Sequence, residues 1–150
     1  LLILPEDDAN RQIATGFSVE LGLKQVQIDL PSGGWRKVLA EVRSGYLTYL
    51  NNHANALLAI VIDFDGVLER IEFARKQVPA HLHDRVFVLG AANEPEDLKR
   101  AGLGSYEAIG AALARDCLAG DFVTWGHQQL RHNLPEAERL RARAGWLFSS

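Results

Sequence analysis

Short unbroken apolar runs alternate along the chain with longer stretches in which apolar residues recur every three or four positions. A short run bounded by turn residues predicts a strand buried on both faces of a sheet. The longer period predicts a helix with one face on the core. Leu1 to Leu4 is the first run, stopped by Pro5. Ala9, Ile13, Phe17 and Leu21 then predict a helix that Asp7 or Asp8 caps and Gly22 ends. Residues 24–30 set Val26, Ile28 and Leu30 against Gln25, Gln27 and Asp29, the alternation of a strand near a sheet edge. Trp35, Val38, Leu39, Val42, Tyr46 and Leu50 predict a helix over 34–50.

The run from Leu58 to Ile62 leads straight into Asp63-Phe64-Asp65-Gly66 and predicts the central strand. Val67, Ile71, Ala74 and Val78 mark a helix ended before Pro79, and residues 85–89 a fourth strand. Asn93 with Glu96 three residues later predicts a capping box. Tyr106, Ile109, Leu113 and Cys117 make another helical face. Residues 121–133 read as partly helical, Pro135 starts a last helix to about Ala144, and Trp146-Leu147-Phe148 is an apolar tail expected to dock on the core. The order predicts an α/β fold: a four-stranded, mainly parallel sheet with helices on both faces and extra C-terminal helices. The first, third and fourth strands are expected to be central, and residues 1–150 to form one domain.

Composition narrows the partners. The 150 residues carry a net charge of -3, so no overall basic field announces nucleic acid, and such a partner must be met by a local patch or a metal. The single Cys117 excludes an internal disulfide and a cysteine zinc cluster, and points to a reduced, cytoplasmic setting. No apolar run is long enough to cross a bilayer, and no basic segment marks Leu1 to Leu4 as a signal peptide, so no membrane partner is expected.

Three acidic clusters follow three predicted strands: Glu6 with Asp7 and Asp8, Asp63 with Asp65, and Glu94 with Glu96. In one parallel sheet all three project from the carboxyl edge, where α/β folds bind ligands. Residues two apart on an extended segment point the same way, so Asp63 and Asp65 converge if the strand stays extended there. Carboxylates so close repel unless a hard cation such as Mg2+ lies between them. That is what metal-assisted phosphoryl transfer needs. The plainer alternatives are that Asp65-Gly66 is a turn, Asp7-Asp8 a helix cap and Glu94-Glu96 part of a capping box.

Over about its first two-thirds the chain resembles a Toprim domain, the metal-binding α/β module of topoisomerases, primases, OLD-family nucleases and small ribosomal-RNA maturases. Glu6 in Leu4-Pro5-Glu6-Asp7-Asp8-Ala9-Asn10 matches the family glutamate after the first strand, and Asp63-Phe64-Asp65 its Asp-x-Asp pair after the third. Asp7 stands in the usual glycine place and Asn10 in that of an aspartate. The resemblance implies Glu6, Asp63 and Asp65 as catalytic residues and Mg2+ (or Mn2+) ligands, with Glu94 or Glu96 as the further acid of OLD-type nucleases. It implies a nuclease, or the nuclease subunit of a bacterial anti-phage defence assembly with an ATPase partner protein, and it leaves a homo-oligomer open. Val61-Ile62-Asp63-Phe64-Asp65-Gly66-Val67-Leu68 also looks like motif one of haloacid dehalogenase-like phosphatases, in which Asp63 would be the nucleophile and Asp65 the general acid. In that family, however, the motif lies on the first strand. A third alternative is a catalytically silent Toprim-like binding module.

Basic residues able to hold a phosphate backbone are Arg11, Lys24, Arg36, Lys37, Lys99 and Arg100. The segment Trp125-Gly126-His127-Gln128-Gln129-Leu130-Arg131-His132-Asn133 adds His127 and Arg131, four apart on one expected helical face, and Trp125 as a stacking surface. His81 and His83 fall at the opposite sheet edge and read as surface residues.

Overall fold

In a computed structural model the strands are β1 (Leu2–Pro5), β2 (Gln27–Ile28), β3 (Leu58–Val61) and β4 (Val86–Leu89). They form one sheet in the order β2-β1-β3-β4, and every pairing is parallel. The structure describes residues 1–22 and 25–149; the Lys24 start of the second expected strand, and Lys24 as a phosphate contact, lie outside them. The α-helices are α1 (Asp8–Glu20), α2 (Trp35–Glu41), α3 (Leu47–Asn52), α4 (Glu69–Lys76), α5 (Glu96–Arg100), α6 (Tyr106–Ala119) and α7 (Leu134–Arg143). A π-helical stretch, Val42–Tyr46, joins α2 to α3, so the helix expected over 34–50 is one rod with a widened middle.

Side-chain alternation along the strands divides the core in two. Ile3, Ala59, Phe87 and Leu89 pack with α1, α6 and α7. Leu4, Leu58, Ile60, Val86 and Val88 pack with α2, α3 and α4. Helices cover both faces, as the unbroken apolar runs require. Two glycines let α1 and α6 cross closely: a Cβ at Gly16 would lie 1.9 Å from the Glu107 carbonyl oxygen, and one at Gly110 would lie 1.9 Å from that of Ile13.

Four expectations need correction. The alternating strand shrinks to Gln27–Ile28, and Leu30 is 78% exposed. The Asn93–Glu96 capping box does not form. Pro95 precedes α5 without a side-chain cap, and Asn93 Nδ2 donates to Asp97 Oδ2 at 2.9 Å instead. Residues 121–130 are turns, so His127 and Arg131 share no helical face; a short 3-10 helix, Arg131–Asn133, follows.

The fourth correction concerns β4, which is apolar throughout yet lies at an edge of the sheet. The C-terminal helical segment explains this by supplying the hydrogen bonds of a missing strand. The Val88 N–H donates to Glu136 Oε2 at 2.9 Å, and the Gly90 N–H donates to Asn133 Oδ1 at 3.1 Å. Arg139 Nη2 donates to the Val86 carbonyl at 3.0 Å. Asn133 Nδ2 and His132 Nε2 reach the Gly90 carbonyl at 2.9 and 2.7 Å. An edge strand covered this way presents no pairing template to another chain. Leu147 of the tail is fully buried and Phe148 packs edge-on to Phe17, whereas Trp146 is 42% exposed.

Candidate metal centre

Parallel pairing of β1 with β3 puts the residues after each strand side by side. The Glu6 N–H donates to the Val61 carbonyl at 2.9 Å, so the ladder runs on past β1 and carries Glu6 to the carboxyl edge. There the buried Glu6 side chain accepts the Asp63 N–H through Oε2 at 2.6 Å, and the nearby Trp35 backbone at the start of α2 also favours its charged form. Asp7 caps α1 by accepting the Asn10 N–H at 3.0 Å. Asn10, itself 1% exposed, then uses one amide nitrogen for two carboxylates: Nδ2 donates to Asp7 Oδ1 at 3.0 Å and to Asp63 Oδ1 at 2.9 Å.

The outcome is a cluster of Glu6, Asp7 and Asp63 whose oxygens lie within 4.8 Å of one another. Burial pushes the Asp63 carboxyl up to about 7; the Asn10 hydrogen bond opposes this, while the charges of Asp7, Glu6 and Asp65 add to it. Burial likewise raises Glu6, against the opposing Asp63 N–H hydrogen bond and with the charges of Asp7 and Asp65 adding. In both, burial and the neighbouring acids disfavour the charged form by more than the hydrogen bonds to them offset. Three hard oxygen donors so close together could hold a divalent cation. Its chemistry would be to neutralise a phosphoryl oxygen and to make water acidic enough to attack near neutral pH.

Asp65 is not in the cluster. Phe64 to Val67 is a tight turn, closed by the Val67 N–H on the Phe64 carbonyl at 2.7 Å, with φ of 49° at Asp65 and 77° at Gly66. Positive φ at both central residues is the signature of a type I′ turn, for which Asp-Gly is a favoured pair. The turn is pinned from outside: the Asp65 N–H donates to the Asn93 carbonyl and the Gly66 N–H to that of Ala92. The extended geometry that would align Asp65 with Asp63 ends there. Asp65 Oδ2 accepts from Arg70 Nη1 at 2.7 Å, and the same nitrogen reaches the Asp63 carbonyl at 3.1 Å.

The remaining candidates are dispersed. Glu94 pairs with Arg100 at 3.3 Å, and Arg100 is also paired with Asp97. Glu96 lies near Tyr106, whose pKa its charge helps to raise after burial. Lys99 Nζ stands 4.5 Å over the Tyr106 ring, and Arg11 lies 3.7 Å from Asp8. The partly buried His127 accepts the Gln129 N–H through Nδ1, while Arg131 is exposed. Trp125 is buried with its indole N–H on the Leu113 carbonyl, which removes it as a stacking surface. His132 packs edge-on to Phe64 with centroids 5.3 Å apart, and burial lowers its pKa.

Asp7, Asn10 and Arg70 were not among the expected ligands or catalytic groups. The first two carried a signal, a carboxylate beside Glu6 and an amide three residues into the helix it caps. Arg70 carried none beyond its charge. No family model, no curated protein and no solved structure matches the chain.

Proposed function

We propose that this protein is a divalent-cation-dependent phosphodiesterase acting on nucleic acid, with a Toprim-like division of labour between the first and third strands. The observation that carries the proposal is the meeting of Glu6 and Asp63 from neighbouring parallel strands, with Asp7 as the third carboxylate. Glu6, Asp7 and Asp63 hold Mg2+ or Mn2+. Asn10 keeps the Asp7 and Asp63 carboxylates turned toward one point. Arg70 braces the Asp63 carbonyl and brings a cation to the rim for a substrate phosphate. The acidic centre repels a polyanion until a cation fills it, which suits a protein of net charge -3.

A second reading keeps Asp63 as the nucleophile of a phosphatase. It is favoured by the likeness of Asp63-Phe64-Asp65-Gly66, closing a buried apolar strand, to the phosphatase motif, and opposed by the ion pair that holds Asp65, its proton donor.

The test is cleavage of plasmid DNA, single-stranded DNA and structured RNA with Mg2+ or Mn2+, comparing wild type with Glu6→Ala and Asp63→Ala. The expected result is cation-dependent cleavage lost in both variants. Hydrolysis of p-nitrophenyl phosphate that needs Asp63 but not Glu6, without nucleic-acid cleavage, would replace the proposal with the phosphatase. Silence in both assays would leave a binding module, or a nuclease subunit that needs an ATPase partner.

A further inference from the structure

A groove of about 750 Å³ opens beside the carboxylate cluster, between α2 and α4. Trp35, Arg36, Arg43, Arg70 and Phe73 line it, and Glu69 is the one acid in its wall. It reaches the cluster through Arg70, whose Nη1 donates to the Asp63 carbonyl at 3.1 Å.

The lining is organised around one indole. The Arg70 and Arg36 guanidinium carbons stand 4.5 and 5.1 Å from the Trp35 ring centroid. Such stacking holds a guanidinium in place while leaving N–H groups for a phosphate; Arg70 commits Nη1 to Asp65 and to the Asp63 carbonyl and has its other N–H groups to offer. Arg43 is positioned by a 2.8 Å hydrogen bond from Nη1 to Gln77 Oε1, which leaves its charge without an acidic partner among the described residues. Phe73 meets Trp35 edge-on, centroids 5.8 Å apart, and is 51% exposed. A large aromatic half in water on a charged helix is ordinary by itself. Here it lies among three arginines, one of which, Arg70, reaches the Asp63 backbone of the carboxylate cluster.

We propose that this groove binds single-stranded nucleic acid, with a base stacked on Phe73 and phosphates on Arg36, Arg43 and Arg70, and leads the backbone to Glu6, Asp7 and Asp63. The proposal rests on the phosphodiesterase reading and names its substrate. Charge complementarity selects a polyanion. The aromatic surface selects unpaired bases, because a duplex hides their faces.

The experiment measures fluorescence anisotropy of labelled oligo-dT and oligo-rU strands of about 12 nucleotides and of a duplex of equal length. EDTA is present, so neither the cation nor cleavage contributes. The expected result is single-strand binding at least about tenfold tighter than duplex binding, with log affinity falling against log salt at a slope of about -2 for three phosphate contacts. Phe73→Ala, at an exposed position, weakens single-strand binding about tenfold. Arg36→Glu with Arg43→Glu weakens it further and flattens the salt slope. Circular dichroism of each variant confirms that it is folded.

Equal affinity for strand and duplex, or no effect of Phe73→Ala, overturns the proposal. So does a Phe73-dependent dimer in sedimentation with no oligonucleotide bound. The two readings fail separately. Loss of the groove's selectivity with cation-dependent cleavage intact removes only this inference. Binding as expected with no cleavage under any cation removes the phosphodiesterase reading and leaves the groove.

Discussion

The Glu6 carboxylate accepts the backbone N–H of Asp63 at 2.6 Å, across 57 residues of sequence. This bond ties the residues following two neighbouring strands into one unit and places two acidic side chains together. It also means that Glu6 has a structural role separable from its charge.

Substitution separates the two. Glu6→Ala leaves the part-buried amide of Asp63 without its acceptor and is expected to cost about 1–3 kcal/mol of stability. Glu6→Gln keeps an acceptor oxygen and removes one negative charge, so stability stays within about 1 kcal/mol of wild type while Mg2+ affinity falls. Urea unfolding and calorimetric Mg2+ titration of both variants distinguish these outcomes. Equal stability for Glu6→Ala and wild type would remove the structural role.

Asp63 makes stability depend on pH. Its carboxyl is pushed up to about 7, against about 4 in an unfolded chain. The folded state therefore holds this proton more tightly than the unfolded state does. Stability from this group is full below pH 4 and is lost as pH rises toward 7. The site is partly open to solvent, so the expected loss is about 1–2 kcal/mol after allowing for screening. Comparing wild type with Asp63→Asn in EDTA at pH 5.5 and 8.0 isolates this contribution; the variant lacks the downward slope. Mg2+ competes with the proton and is expected to stabilise wild type more at pH 8.0 than at 5.5. A rise in wild-type stability relative to Asp63→Asn between those pH values would contradict the burial of Asp63.

Asn10 sets the charge of the centre. Asn10→Asp replaces a donor to two carboxylates with a fourth acid in the centre and is expected to cost about 2–3 kcal/mol in EDTA. The same change adds an anionic donor for a cation, so Mg2+ should restore much of that loss. Thermal melts with EDTA and with Mg2+ test it. A variant equally destabilised under both conditions would show that Asn10 only packs.

Glu136 is expected to matter far from the centre. It is 3% exposed, accepts the Val88 N–H at 2.9 Å, and pairs with Arg75 at 2.7 Å and Arg139 at 2.9 Å. Glu136→Leu orphans an edge amide and takes a buried carboxylate from Arg75, which keeps Glu72, and from Arg139, which keeps the His83 and Val86 carbonyls, at an expected cost of about 3 kcal/mol. It also opens the β4 edge, so concentration-dependent aggregation should follow. Urea unfolding and light scattering measure the two effects.

The strands, the long helix from Trp35 and the Asp7 cap of α1 were legible because each rests on short-range chemistry: apolar period, turn residues and a side chain within reach of its own backbone. Glu6 and Asp63 were legible for the same reason, as acids closing two buried apolar runs. Periodicity does not report partners distant in sequence, and those decided the rest. Backbone bonds from residues 65 and 66 to 93 and 92 hold the Asp-Gly turn that takes Asp65 to Arg70 and leaves Asp7 as the third carboxylate. Glu136 and Asn133, about 45 residues beyond β4, let a wholly apolar strand stand at a sheet edge. The sequence by itself determined which segments extend, which coil and which carboxylates reach the sheet's carboxyl edge, because those follow from the backbone and its nearest neighbours. Only the tertiary structure decided which carboxylates meet and which cations brace them, because hydrogen bonds between remote segments set those positions.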